Sequence, residues 1–376
     1  MSASWDLVVV GGGIVGLAHA ALAARGGRRV LLLERDPRAL GASIRNFGMV
    51  WPIGQRPGPD RERALRSRAA WRETLAAAGL PFREDGSVHL AAHPLEESVL
   101  REYAASPAGR ETRWLDRGEL EPAWTGLLAD RVRGGLWSPT EMLVEPLATV
   151  RGLADWLAGL SNVTVRHGVT VTDVAPGRVR ANRGEFSAER VLVATGSTHD
   201  TFHPDAWAAE RVTRCRLLML RVACPVHWRL PAAVASGMST IHYPGFAGCA
   251  SREALRAHYR ETFPALERDG VHLLVAQHRP GELIVGDSHE YGEAFEPFLP
   301  ERVADIILDA LDGLLALPER RVLERWDGVY LKHLGEAPYR AFEPEPGVRV
   351  VNAFGGAGMT LSFGAALESL EAWGWA

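Results

Sequence analysis

The sequence predicts an α/β protein in which a Rossmann-like nucleotide-binding domain interleaves with a second α+β domain built on a mixed, largely antiparallel sheet. Three observations predict it. The apolar strand Leu7-Val8-Val9-Val10 runs directly into the glycine turn Gly11-Gly12-Gly13-Ile14-Val15-Gly16, which opens a helix. A second apolar strand, Val30-Leu31-Leu32-Leu33, ends in Glu34, placed where an acid can bind ribose hydroxyls. Far along the chain, Val348 to Val351 feeds a further glycine turn, Gly355-Gly356-Ala357-Gly358-Met359-Thr360, and a second helix start.

The elements follow in order. After Glu34-Arg35 comes a loop of small and polar residues, Gly41-Ala42-Ser43-Ile44-Arg45-Asn46-Phe47-Gly48. Helical patterning runs over about Asp60 to Ala78, with Leu65, Ala69 and Leu75 on one face, and again over Leu95 to Ala105. Asp116 reads as the N-cap of a short helix, and Glu145-Pro146 opens another through Leu160, since proline is tolerated in a first turn. From Val163 to Val193 the pattern changes to short strands that end in Ala194-Thr195-Gly196, where the nucleotide domain resumes. The runs Leu217 to Val222, Val271 to Ala276 and Leu283 to Val285 suggest a separate sheet. A helix over Glu301 to Leu315 and a strand over Arg321 to Lys332 precede the final strand and turn. This order divides the chain into a nucleotide domain of residues 1–50, 145–210 and 325–376 and a substrate domain of residues 51–144 and 211–324.

Composition narrows the function classes. With 376 residues, 47% of them hydrophobic and 23% charged, the chain can bury a large ligand and reads as a soluble globular enzyme. A formal charge of -4 offers no basic excess to recruit nucleic acid or an anionic membrane. The first apolar stretch is too short and too soon broken by glycines for a signal peptide or a membrane span, so a cytoplasmic protein is expected. Cys215, Cys224 and Cys249 form no CxxC pair, so neither a disulfide framework nor a zinc site is expected of them, and no metal is expected. Among 42 basic residues Lys332 is the only lysine, which singles it out for a role that a compact ammonium fills and a guanidinium does not.

Two helix starts, one at each end of the chain, suit an extended cofactor better than a nicotinamide. The first turn faces a pyrophosphate, and the last would stabilise negative charge on the pyrimidine side of a reduced flavin.

Together, Gly11 to Gly16, Glu34-Arg35, Ala194-Thr195-Gly196 and Gly355 to Thr360 resemble the D-amino acid oxidase family, which includes glycine and sarcosine oxidases. The resemblance implies non-covalent FAD. The amides of Gly11, Gly13, Ile14, Val15 and Gly16 would hold its pyrophosphate, Glu34 its ribose, with Arg35 alongside, and the Val169 backbone its adenine. Ser43, Arg45, Asn46, Phe47 and Gly48 match the loop beside pyrophosphate and ring. Ala194, Thr195 and Gly196 match the middle turn, and Gly356, Ala357, Gly358, Met359 and Thr360 the segment at the ring's pyrimidine edge.

One departure bears on substrate. The family's D-amino acid and glycine oxidases carry Gly-Leu-Arg-Pro on the strand before the last turn, and that arginine forks onto a carboxylate. Here the stretch is Trp326-Asp327-Gly328-Val329-Tyr330-Leu331-Lys332, with Tyr330 where the arginine would stand and Lys332 on the same strand face. The runs Gly41 to Pro52, Val285 to Gly292 and Trp326 to His333 resemble a bacterial subgroup linked to aminophosphonate breakdown. Tyr330, Lys332, His289, Asn46, Tyr243 and Tyr291 are the candidates for substrate handling. The expected reaction oxidises a small anionic amine such as 2-aminoethylphosphonate or its N-methyl form by hydride transfer to flavin N5, followed by imine hydrolysis to phosphonoacetaldehyde, with oxygen or another acceptor taking the electrons. A glycine, sarcosine or D-amino acid oxidase, a quinone-linked dehydrogenase and a non-catalytic flavoprotein stay open as alternatives.

Overall fold

The structure, a computed structural model, describes residues 5–375. Its first sheet runs, in spatial order, Arg340–Glu345, Val348–Asn352, Gly184–Val193, Trp5–Val10, Val30–Leu33 and Val163–Arg166. All neighbours after the first pair are parallel. Parallel strands are covered on both faces, which is why Leu7 to Val10 and Val30 to Leu33 are continuously apolar rather than alternating. Leu7, Val9, Val30 and Leu32 pack into one core with the helices Ile14–Arg25 and Gly358–Ala372, while Val8, Val10, Leu31 and Leu33 pack into another on the opposite face.

The second sheet runs Glu290–Gly292, Val212–Ala223, Glu282–Gly286, Leu274–Ala276, Ala233–Ser236, Ser87–Ala91, Gly134–Ser138 and Arg113–Asp116. Only Ala233–Ser236 against Ser87–Ala91 is parallel, so the sheet is mixed and largely antiparallel, as expected. One face carries the helix Glu301–Asp312, whose Val303, Ile307, Leu308 and Leu311 pack on Leu220, Val222, Leu283 and Val285. That helix stops short of the expected Leu315. Asp116 caps the helix Arg117–Trp124 through a capping box with Glu119.

Three expectations need correction. The strand Val322–His333 pairs antiparallel with Val212–Ala223 along almost its whole length, so residues from 325 onward begin inside the second sheet rather than in the nucleotide domain. The helix Pro59–Ala78 packs into the first core, not with the second sheet, because Trp71 stacks on Phe363 and donates its indole N–H to the Met359 carbonyl at 2.8 Å. Those bonds set its rotation, so Ala64, Ala70, Trp71 and Leu75 are buried while Ala69 is exposed. Apart from these corrections, Cys215 is buried, Cys224 and Cys249 are half-buried, and all three are free thiols.

Candidate active site

A cavity of about 680 Å³ runs from the first glycine turn, between the two sheets, to the second. Its volume lies within the range that holds a large ligand. At the nucleotide end the wall is backbone. Gly11 has φ +113°, and a Cβ there would lie 2.3 Å from the Ala194 carbonyl oxygen; a Cβ on Gly16 would lie 1.9 Å from the Gly11 oxygen. The turn is therefore closed tightly enough that only glycine fits. The helices Ile14–Arg25 and Gly358–Ala372 both lack a bond from their own N-cap side chain and an acid in the first turn, so apart from the Ile14 N–H, which a distant loop takes, their positive ends suit an anionic or electron-rich group.

Side chains brace this backbone. Glu34 accepts the Gly12 N–H at 2.6 Å and the Asp36 N–H at 2.9 Å, which fixes the carboxylate at the cavity wall and still leaves lone pairs for hydroxyls. Ser43 Oγ accepts the Ile14 N–H at 2.9 Å, so this residue serves the helix start directly. The Val169 N–H is taken by the Glu34 carbonyl at 2.9 Å. Arg35 lies at the wall with its guanidinium 3.8 Å from Asp36. Arg45 also lines the cavity, its guanidinium donating to the Leu40 carbonyl and the Asp327 carbonyl at 2.8 and 2.9 Å. Phe47 lines the wall, and His278, adjoining its carbonyl at 2.8 Å, holds it. Asn352 does the same for Gly196, donating to its oxygen at 2.9 Å. Thr360 accepts the Trp51 N–H at 2.9 Å and so ties the last helix to the loop. Gly13, Ala194, Thr195, Gly196 and Gly356 to Thr360 line the cavity, whereas Gly16 and Gly48 act behind its wall. A Cβ on Gly48 would lie 1.8 Å from the Val144 oxygen.

The opposite wall is built of side chains. Tyr330, Lys332, His289, Asn46, Tyr243 and Tyr291 all line the one cavity. Tyr330 and Lys332, at alternate positions of the strand Val322–His333, share the face turned to it. Lys332 Nζ donates to the Tyr291 hydroxyl at 3.0 Å. Burial lowers the ammonium below the ordinary lysine value and raises Tyr330, Tyr243 and Tyr291 above the ordinary phenol value, so all three phenols are neutral donors. Asn46 differs from the expectation of a substrate contact: its amide donates to the Ala42 and Ser43 carbonyls at 3.0 Å and its oxygen accepts the Gly48 N–H at 2.7 Å. Every strong bond of that side chain is spent on its own loop.

Sequence reading missed His242, His272 and Asp287, which join His289 at this wall. The three histidines are widely separated in sequence, and no local spacing announces them. His278 and Asn352 were missed for the same reason: each bonds a backbone atom far away in sequence.

The arrangement fits an extended dinucleotide, and comparison with known proteins gives the family. A model of the FAD dependent oxidoreductase family (DAO) matches residues 6–369, and the chain belongs to that family. The bifunctional protein ThiO/ThiG of Trichormus variabilis is 29% identical over 237 residues, 58% of this chain and 34% of that protein. The glycine oxidase of Geobacillus kaustophilus is 27% identical over 231 residues, 58% of this chain and 59% of that one. The chain thus spans about a third to three fifths of the length of these relatives. The crystal structure of the Geobacillus enzyme superposes with a TM-score of 0.78 at 20% identity over 98% of this chain and 94% of that one, which shows the shared fold. Among the described residues no helix is long and apolar enough to cross a membrane.

Proposed function

We propose that the chain oxidises a small anionic amine at the carbon bearing nitrogen, and that an aminophosphonate of the 2-aminoethylphosphonate class is its substrate. The observation that carries this reading is the pair Tyr330 and Lys332, standing on the cavity face where the resemblance would put a carboxylate-forking arginine. A planar fork suits a planar carboxylate, whereas a compact ammonium with neutral phenols around it suits a tetrahedral phosphonate, which takes donors from several directions.

The residues present fit FAD. The first turn and helix Ile14–Arg25 would hold its pyrophosphate, Glu34 its ribose, and the start of helix Gly358–Ala372 its pyrimidine edge. Held there without a covalent bond, FAD supplies a two-electron acceptor for the C–H next to nitrogen. The protein's own work is placement. Lys332, steadied by Tyr291, anchors the anion, while Tyr330 and Tyr243 offer hydroxyl donors. No side chain near the anchor has to remove a proton from carbon, because the amine enters neutral. The amine nitrogen and its carbon then face the redox ring, and water completes the imine's hydrolysis.

Anaerobic mixing of the holoprotein with glycine, sarcosine, D-alanine, 2-aminoethylphosphonate and its N-methyl form tests the reading. Bleaching of the flavin is expected to be fastest with a phosphonate. Faster bleaching with glycine or D-alanine would overturn the substrate assignment, and a flavin that stays oxidised with every donor would overturn amine oxidation itself.

A further inference from the structure

We propose that His242, His272 and His289, together with Asp287, form a binding site for a divalent transition-metal ion of the zinc class in the cavity wall. The donors arrive from three places in the second sheet. His242 ends the short helix Ser239–His242, His272 precedes the strand Leu274–Ala276, and Asp287 and His289 follow the strand Glu282–Gly286. One ring nitrogen of each histidine lies within 4.8 Å of the other two. Around tetrahedral zinc such nitrogens stand roughly 3.4 Å apart, so the side chains need to close in by roughly 1 Å and the stacked rings, with His242 3.9 Å from His272 between centroids, need to turn until their nitrogens converge.

The unmet bonding of these groups calls for a cation. Both ring nitrogens of His272 and Oδ1 of Asp287 are buried without a hydrogen-bond partner among the described residues, at relative exposures of 4% and 5% for the two residues. His289 Nδ1 lies 2.8 Å from the Gly270 carbonyl, which can only accept, so Nδ1 carries the proton. Nε2, its other ring nitrogen, lies 3.8 Å from Asp287 Oδ2. His272 Nε2 approaches Asp287 Oδ1 at 3.4 Å, again without forming a hydrogen bond. Imidazole nitrogens and a carboxylate oxygen buried with their bonds unmade are costly, and an ion held among them would satisfy them together.

An anion does not solve the problem. Asp287 adds a like charge against any anion placed among them. Three imidazoles and a carboxylate match the zinc class and mismatch calcium or magnesium, which prefer oxygen donors. The backbone carbonyl behind His289 is the outer-shell partner that a metal-bound histidine ordinarily has. The site stands on this donor geometry and does not depend on which amine the enzyme takes.

The test uses flavin-loaded protein stripped with a chelator and titrated with Zn²⁺ by calorimetry, then with Co²⁺ by visible absorption beyond the flavin bands. Binding of about one Zn²⁺ per chain and the intense d–d absorption of tetrahedral Co²⁺ are expected. His272→Gln and His289→Ala should each weaken Zn²⁺ binding at least about 100-fold while flavin content and melting temperature report that the fold survives. Zn²⁺ binding no tighter than that of a variant lacking all three histidines would overturn the site. So would the absence of a tetrahedral Co²⁺ spectrum in the unmutated protein, a result that needs no variant to fold. Uptake of inorganic phosphate at these residues without Zn²⁺ uptake would also overturn it.

Discussion

The two walls of the cavity are made of different material. The nucleotide wall is backbone, with turns closed so tightly at Gly11, Gly16 and Gly48 that a methyl group has no room, and helix starts without a bond from their own N-cap side chains. The substrate wall is side chain, with Tyr330, Lys332, Tyr291 and three histidines brought together from distant segments. A backbone wall reads charge and shape that never change, as a cofactor's do not. A side-chain wall can be re-lined one residue at a time without disturbing the sheets, which is how one fold can serve different substrates.

The sharpest way to break this contrast is at the first turn. Gly16→Ala forces a Cβ to within 1.9 Å of the Gly11 oxygen, so the turn must open and flavin affinity should fall by more than about 100-fold, read as the flavin-to-protein absorbance ratio. A flavin-replete variant would show that the tight turn is not what holds the cofactor.

Buried histidines extend the comparison to stability. His19, in the first core, has its ring nitrogens 2.7 Å from the Val15 carbonyl and 3.0 Å from Ser369 Oγ; His89, in the second sheet, has no partner for either nitrogen among the described residues. Burial lowers them from 6.5 to about 4 and about 3. Both folded values lie below the unfolded one, so their stabilising contribution is full above pH 6.5 and is lost as pH falls toward 4, about 3 kcal/mol for each ring. Denaturant melts across that window measure it. His89→Leu should flatten the acid loss without cost at neutral pH, since it removes two unmet polar atoms, whereas His19→Leu should cost stability even at pH 7.

Lys332→Met tests the other wall. Loss of a charged anchor is worth about 2 kcal/mol, so KM for an anionic amine should rise about 30-fold with flavin content unchanged. An unchanged KM would remove Lys332 from substrate binding. In the unmutated enzyme KM should also climb as pH rises through a point below 10.5, where the lowered ammonium loses its proton, and the variant should lack that limb. Asn46→Ala should do least, about 1 kcal/mol in flavin affinity with KM unmoved, because its bonds stay within its loop.

The same contrast explains what was legible in the sequence. Gly11 to Gly16, Glu34 and Gly355 to Thr360 are contiguous signals, since a tight turn needs its glycines side by side, and parallel strands buried on both faces leave unbroken apolar runs. Tyr330 and Lys332 were legible because a strand repeats every second residue. His242 and His272 were not, because each reaches the wall from its own separate segment. The strand Val322–His333 was assigned to the nucleotide domain since it leads toward the final turn, but antiparallel pairing with Val212–Ala223 leaves no local trace. The face of helix Pro59–Ala78 was misread because its alanines make several rotations equally apolar, and only the distant bond from Trp71 to Met359 selects one.

That strand also has a mechanical consequence. It belongs to the second sheet along its length, yet near its end Lys332 bridges to Phe354, and Arg45 and Trp326 bolt the flavin loop to its middle through Asp327 and the Arg45 carbonyl. One beam is therefore riveted to both halves. Parting the halves like a hinged jaw would have to shear those rivets, so a change that loosens the loop around Arg45 would also be felt along the beam that carries Tyr330 and Lys332.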